Sequence, residues 1–146
     1  MGHRDMLKNK KRLVVKIGTS TLSFEGGRLN FQRIEKLAYV LTTLQKADKE
    51  VLLVTSGAIG VGAGRLGMGK KPQDLATKQA LAAIGQAELM KIYQKFFGAY
   101  HQMVAQVLLT KDVMTDTVKK KNKKNTMKTL LEMNIIPIIN ENDTIS

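Results

Sequence analysis

Leu13-Val14-Val15-Lys16-Ile17-Gly18-Thr19-Ser20 is the segment from which the fold can be read. Its apolar run, broken by one lysine, predicts a short buried strand, and Gly18-Thr19-Ser20 ends it. A loop containing Gly26-Gly27 covers 23–29. Phe31, Ile34, Leu37, Ala38, Leu41 and Leu44 then recur at three- and four-residue spacing. That spacing predicts a helix with one apolar stripe, N-capped by Asn30. Glu50 to Thr55 (EVLLVT) reads as a second strand. Further on, Asp74 is placed to cap a helix running to about Phe97. Its expected inner face is Leu75, Ala76, Ala80, Ala83, Ala87, Met90 and Phe97, and so many small residues predict close packing on a neighbour. Gln102 to Leu109 reads as a third strand, Asp116 as the cap of a helix to Met133, and Ile135 to Ile139 as a fourth strand. Strands alternating with long helices predict an α/β fold, an open and mainly parallel sheet with helices on both faces.

The chain has 146 residues, with 24 Lys and Arg against 12 Asp and Glu, for a net charge of +12. A hydrophobic fraction of 43% and a charged fraction of 25% exclude wholesale disorder. With no cysteine there is no disulfide scaffold, no zinc–thiolate site and no thiol nucleophile. Residues 1–12 read as a basic flexible arm. No apolar run reaches the length of a signal peptide or a spanning helix, so a cytoplasmic protein with no membrane association is expected. Met1-Gly2 fails as a myristoylation signal because position 6 is Met6.

Several motifs fail in context. Gly62-Ala63-Gly64-Arg65-Leu66-Gly67 is a literal G-x-G-x-x-G, but the preceding strand ends near Thr55, too early for a dinucleotide turn. Gly64 to Lys70 reads G-x-x-x-x-G-K, yet Lys71 stands where a phosphate loop needs a hydroxyl. That run reads instead as a flexible glycine loop. His3 and His101 are far apart, which leaves little for a histidine-centred triad and nothing with metal-ligand spacing. No metal-ligating residue is assigned.

The strand ends hold more. Ligands of open parallel sheets bind at the carboxyl ends of the strands. Those ends carry Lys16 with Gly18-Thr19-Ser20, then Thr55-Ser56-Gly57, then Thr110-Lys111-Asp112, then Asn140-Glu141-Asn142-Asp143. A parallel sheet collects all four on one edge. Lysine supplies a cation for phosphate, a glycine turn offers backbone N–H groups to an anion, and Asp143 can hold an amino group. Each residue also has a plainer reading: Ser56 as the cap of the next helix, Asn140 and Asp143 as a turn, Lys16 as a solvated strand end. Four polar ends together favour a site.

At these residues the sequence resembles the amino-acid kinase family, and within it the branch that phosphorylates glutamate. The matching stretches are Val15 to Leu22 (VKIGTSTL), Val54 to Gly60 (VTSGAIG), Lys78 to Gln86 (KQALAAIGQ), Ala105 to Thr110 (AQVLLT) and Ile136 to Asp143 (IPIINEND). The resemblance implies ATP-dependent phosphorylation of the side-chain carboxylate of L-glutamate, giving an acyl phosphate, the first intermediate of proline synthesis. It implies that Lys16 contacts the transferred phosphate, that Gly18 and Thr19 line the loop beside it, and that Ser56, Asn140 and Asp143 bind glutamate. The resemblance implies that Mg2+ accompanies the ATP. The nucleophile, with a reference pKa of about 4.3, is ionised at neutral pH and needs no general base. The resemblance also implies a homo-oligomer, with proline as a feedback inhibitor and glutamyl-phosphate reductase as a functional partner. Residues 13–146 would form the substrate- and phosphate-binding part of the kinase domain, with the nucleotide pocket and a second lysine beyond Ser146. The chain by itself is then expected to be inactive.

One departure stands out. Where the family has an aromatic and a leucine before an Asn-Ala-Arg-Asn-like run, this chain has Lys120-Lys121-Asn122-Lys123-Lys124-Asn125. Helical spacing puts Asn122 and Asn125 on a stripe with Val118, Thr129 and Met133, and Lys120, Lys121, Lys124 and Lys128 elsewhere. The lysine run and the net charge motivate the competing reading, a basic nucleic-acid- or anion-binding module. Few aromatics and no binding motif weigh against it, and a solvated helix face accounts for the run. A non-catalytic assembly fragment is the third reading.

Overall fold

The computed structural model describes residues 11–24, 28–68, 73–109 and 116–141. The elements in chain order are β1 (Lys11–Ile17), α1 (Thr19–Leu22), α2 (Phe31–Lys46), β2 (Lys49–Thr55), α3 (Ala58–Arg65), α4 (Leu75–Gly98), β3 (Val104–Leu108), α5 (Thr117–Glu132) and β4 (Ile136–Asn140). All strand pairs are parallel, and the sheet order is β1-β2-β4-β3. The α/β architecture expected from the alternation of patterns is therefore present, with helices on both faces.

Three helices start where a side chain satisfies their free N–H groups. Asn30 accepts from Arg33 N at 3.3 Å, Asp74 from Thr77 N at 2.9 Å, and Asp116 from Val118 N at 2.9 Å and Lys119 N at 3.0 Å. The Thr77 hydroxyl also donates to Asp74, and these bonds to the charged form hold its carboxyl below the usual 3.8.

One face of the sheet packs against α2, α3 and α4. Val51 and Leu53 of β2 and Ile136 and Ile138 of β4 meet Ile34, Leu41, Leu81, Leu89, Tyr93 and Phe97 there. Among the described residues the opposite face is covered by α5, where Leu131 packs with Leu52, Val107 and Ile139. β2 is central and buried on both faces, which is why it reads as a continuous apolar run. At the amino ends of the strands, Gln45 accepts from Val51 N at 3.0 Å and donates to the Asn134 side chain at 2.8 Å. Gln102 donates to the Asn134 carbonyl at 2.9 Å. These buried amides join α2, β2 and the turns into β3 and β4.

Four expectations are corrected. β1 begins at Lys11, inside the stretch read as a basic arm, because an edge strand tolerates charge at its open end and Arg12 pairs with Glu50 of β2 at 3.6 Å. β3 starts at Val104, two residues later than its apolar run, since Gln102 turns its amide toward Asn134. The glycine-rich stretch after β2 is a helix, α3, with Gly60, Gly62 and Gly64 inside it. It ends in a Schellman turn in which Met68 N donates to the Ala63 carbonyl at 2.9 Å and Gly67 N to Gly64 at 3.2 Å. The inner face of α4 is Leu81, Ala82, Gly85, Leu89, Ile92, Tyr93 and Phe97; Ala76, Ala80, Ala83 and Ala87 are exposed.

The last correction has a steric cause. A Cβ on Gly85 would stand 2.7 Å from the Ala58 carbonyl carbon, and one on Gly62 would stand 2.8 Å from that of Leu81, both nearer still to the oxygens. The backbones of α3 and α4 therefore touch, and the rotation of α4 follows from Gly85, which has no apolar side chain to count. Gly85→Ala should lower the unfolding free energy by about 3 kcal/mol, because the obstacle is backbone. Gly98→Ala, where nothing stands within 4 Å, should be neutral or slightly stabilising. Urea denaturation of the two variants beside the parent checks this contrast.

Candidate functional site

The parallel register levels the carboxyl ends of the strands. Ile17 pairs with Thr55, Thr55 with Asn140, and Asn140 with Leu108. Lys16, Gly18, Ser56 and Asn140 are thereby brought to one edge of the sheet. Asp143, Lys111 and Asp112 lie outside the described residues.

The turns after β1 and β2 are tied together. Ser56 N donates to the Ile17 carbonyl at 3.1 Å, and the Ser56 Oγ lies 3.8 Å from the point where a Cβ on Gly18 would stand. The carbonyl of Gly18 accepts from Thr21 N and Leu22 N at 3.2 and 3.3 Å, so the chain coils at once into α1. After Ser56, Gly57 takes a left-handed φ of 92° and is the N-cap of α3, with no side-chain cap bond. Ser56 is therefore not the cap of this helix; a glycine is required there to turn the chain so sharply. The first N–H groups of α3 have no acceptor within their own helix and point out at the edge, beside Gly18 and Ser56.

β4 supplies the third wall. Asn140 is the last residue of the strand, not part of a turn, and is buried. The Thr55 hydroxyl donates to its Oδ1 at 3.4 Å, and Glu141 N donates to the Thr55 carbonyl at 2.7 Å. Thr55 thus positions Asn140 and Glu141 together. The Glu141 carboxylate reaches Lys16 Nζ at 3.1 Å, with the two side chains 51% and 66% exposed.

The pleat separates two groups of polar side chains. Thr55 and Asn140 belong to the face on which Val51, Leu53 and Ile138 meet α2, α3 and α4. Lys16 pairs with Val54, whose face is the one that α5 covers. A ligand at this edge would meet an amide and a hydroxyl from one side and an ammonium from the other. Such an edge, with N–H groups between, can receive an anion and orient a small polar molecule. Thr55 and Glu141 went unassigned in the sequence. Thr55 continues the i, i+2 set of Val51 and Leu53, so its inward direction was readable; the Glu141–Lys16 pair was not, because it joins strands that are not neighbours.

The ion pair is exposed and should stabilise the fold little, whereas the Thr55–Asn140 contact is buried. Glu141→Gln should leave the unfolding free energy within about 0.5 kcal/mol of the parent. Asn140→Ala, which strands the Thr55 hydroxyl, should lower it by about 1–3 kcal/mol. Denaturant titration at fixed pH measures both.

Comparison with known proteins adds a consistent result. A profile described as the amino acid kinase family matches residues 11–146. The chain is 57% identical over 143 residues to the glutamate 5-kinase of Clostridium perfringens, covering 98% of this chain and 53% of the relative. It is 54% identical to the glutamate 5-kinase of Listeria innocua, with 98% and 52% covered, and 48% identical to that of Enterococcus faecalis, with 98% and 53% covered. The chain spans about half the length of the curated relatives it matches.

Proposed function

Because the chain belongs to the amino acid kinase family, we propose that it supplies the glutamate- and phosphate-handling half of an ATP-dependent glutamate 5-kinase. The observation that carries this reading is identity of 48–57% along 98% of the chain to proteins of that name. Residues 13–146 then form the acceptor side of the kinase domain. The nucleotide's base is housed in the part of the relatives' length that this chain does not span.

Mg-ATP, when bound, would supply the terminal phosphoryl group: its bond to the bridging oxygen breaks as an oxygen of the glutamate γ-carboxylate accepts it, giving an acyl phosphate and ADP. Mg2+ would come in on the phosphate oxygens of the nucleotide, the way this ion is usually held beside transferable phosphates. Lys16 neutralises charge on the transferred phosphoryl group, which requires it to leave Glu141. Gly18 and Thr19 lie beside it on the turn out of β1. Ser56 and Asn140 hold glutamate from the β2 and β4 ends, and Asp143 takes its amino group. No proton is moved, because the acceptor carboxylate is already ionised at neutral pH. Positioning and charge compensation carry the rate, as phosphoryl transfer needs. No helix among the described residues is long and apolar enough to cross a membrane.

In a full-length relative carrying this segment, trapping acyl phosphate with hydroxylamine should respond to glutamate and not to aspartate or N-acetylglutamate. Preference for either of the latter would sink the assignment. In the same assay Lys16→Ala should lower kcat more than it raises the glutamate KM, since its partner is the phosphoryl group in flight. Asp143→Asn should instead raise the glutamate KM by roughly 10–150-fold, the loss of about 1.5–3 kcal/mol from a bond to a charged ligand.

A further inference from the structure

α5 carries Lys119, Lys120, Lys121, Lys123, Lys124 and Lys128 against a single acid, Glu132. Its contacts with the sheet involve its second half: Met127, Leu130 and Leu131 pack with Leu52, Val54, Val107, Leu109 and Ile139. The helix lies between β3 and β4 of a parallel sheet, so it runs antiparallel to the strands and its amino end points toward their carboxyl edge. Val54 and Ile139 are already near that edge, one residue before Thr55 and Asn140. At 1.5 Å per residue, Lys123 and Lys120 stand about 6 and 10 Å further along the helix toward that edge than Met127. Helical rotation then sorts the lysines. Lys120 and Lys123 continue the stripe of Met127 and Leu130 that faces the sheet, whereas Lys121 and Lys128 look away from it. Lys123 is half-buried, whereas Lys120, Lys121 and Lys128 are exposed. The side chain of Lys16 leaves this same face of the sheet. Of the described acids at this edge, Asp116 caps α5 and Glu141 pairs with Lys16.

We infer that Lys120 and Lys123 form a cationic rim over the carboxyl edge, which draws the nucleotide's polyphosphate in from the α5 side and toward Lys16. The inference rests on the phosphotransferase reading and adds a role for the lysine run beyond that of a solvated face. Charges lining one side of a cleft raise the local concentration of an oppositely charged ligand. The effect needs no contact geometry from the lysines, and salt weakens it over a Debye length of about 8–10 Å.

The test titrates the isotope-labelled chain with inorganic tripolyphosphate and follows backbone amides. In the parent, Gly18 and Ser56 should shift; if neither does, the phosphotransferase reading falls and the rim falls with it. Given those shifts, Lys120→Gln with Lys123→Gln should weaken binding about fivefold at low salt. Lys121→Gln with Lys128→Gln, which removes the same charge from the outward side, should weaken it by less than half as much. The gap between the two pairs should close as salt rises. Equal loss in both pairs, or loss in neither, overturns the rim while leaving the reading of the site in place. A DNA duplex that still shifts α5 amides at physiological salt, where tripolyphosphate does not, would likewise overturn it and assign the lysines to nucleic acid.

Discussion

The contact on which the arrangement depends is the backbone approach of α3 to α4. Gly62 lies against the Leu81 carbonyl and Gly85 against that of Ala58, with no room for a Cβ at either position. This crossing sets the axis of α3 and hence where its amino end emerges beside β1. It also sets the rotation of α4, which presents Leu89, Tyr93 and Phe97 to the core. Glycine lowers helix propensity, and α3 carries three within its eight residues. Such a helix is stabilised mainly by burial, so the same glycines that weaken it locally allow the packing that holds it.

The second constraint is register. A parallel sheet whose central strand is buried on both sides tolerates no slip, because a one-residue shift would exchange its two faces. With Ile17, Thr55 and Asn140 level, the turns that follow the strands share an edge. The pleat then divides the polar groups at that edge between the faces. Asn140 and Thr55 stand beneath the helical layer of α2, α3 and α4, and Lys16 stands on the side of α5. In the phosphotransferase reading this division matches the two charges to be handled, a small acceptor on one side and a phosphate chain on the other.

Charge follows the same geometry. The chain's excess of lysine is uneven, and α5 carries six lysines against one acid. The Lys16–Glu141 pair is exposed enough to exchange for another anion at little cost. In the phosphotransferase reading both ligands are anionic, so cations at this edge would favour their arrival together, despite their mutual repulsion.

The caps at Asn30, Asp74 and Asp116 and the strand–helix alternation were readable in the chain, because each depends on residues within about four positions of one another. α3 was not, since its glycines argue for a loop until a partner helix is present. Neither was the inner face of α4, whose most important member, Gly85, has no side chain. The strand order, the face from which Lys16 projects and the pairing of Lys16 with Glu141 likewise came from packing. Thr55 and Asn140 are 85 positions apart, and no local pattern specifies which side chains such distant segments bring together; that follows from register and from which backbones can approach.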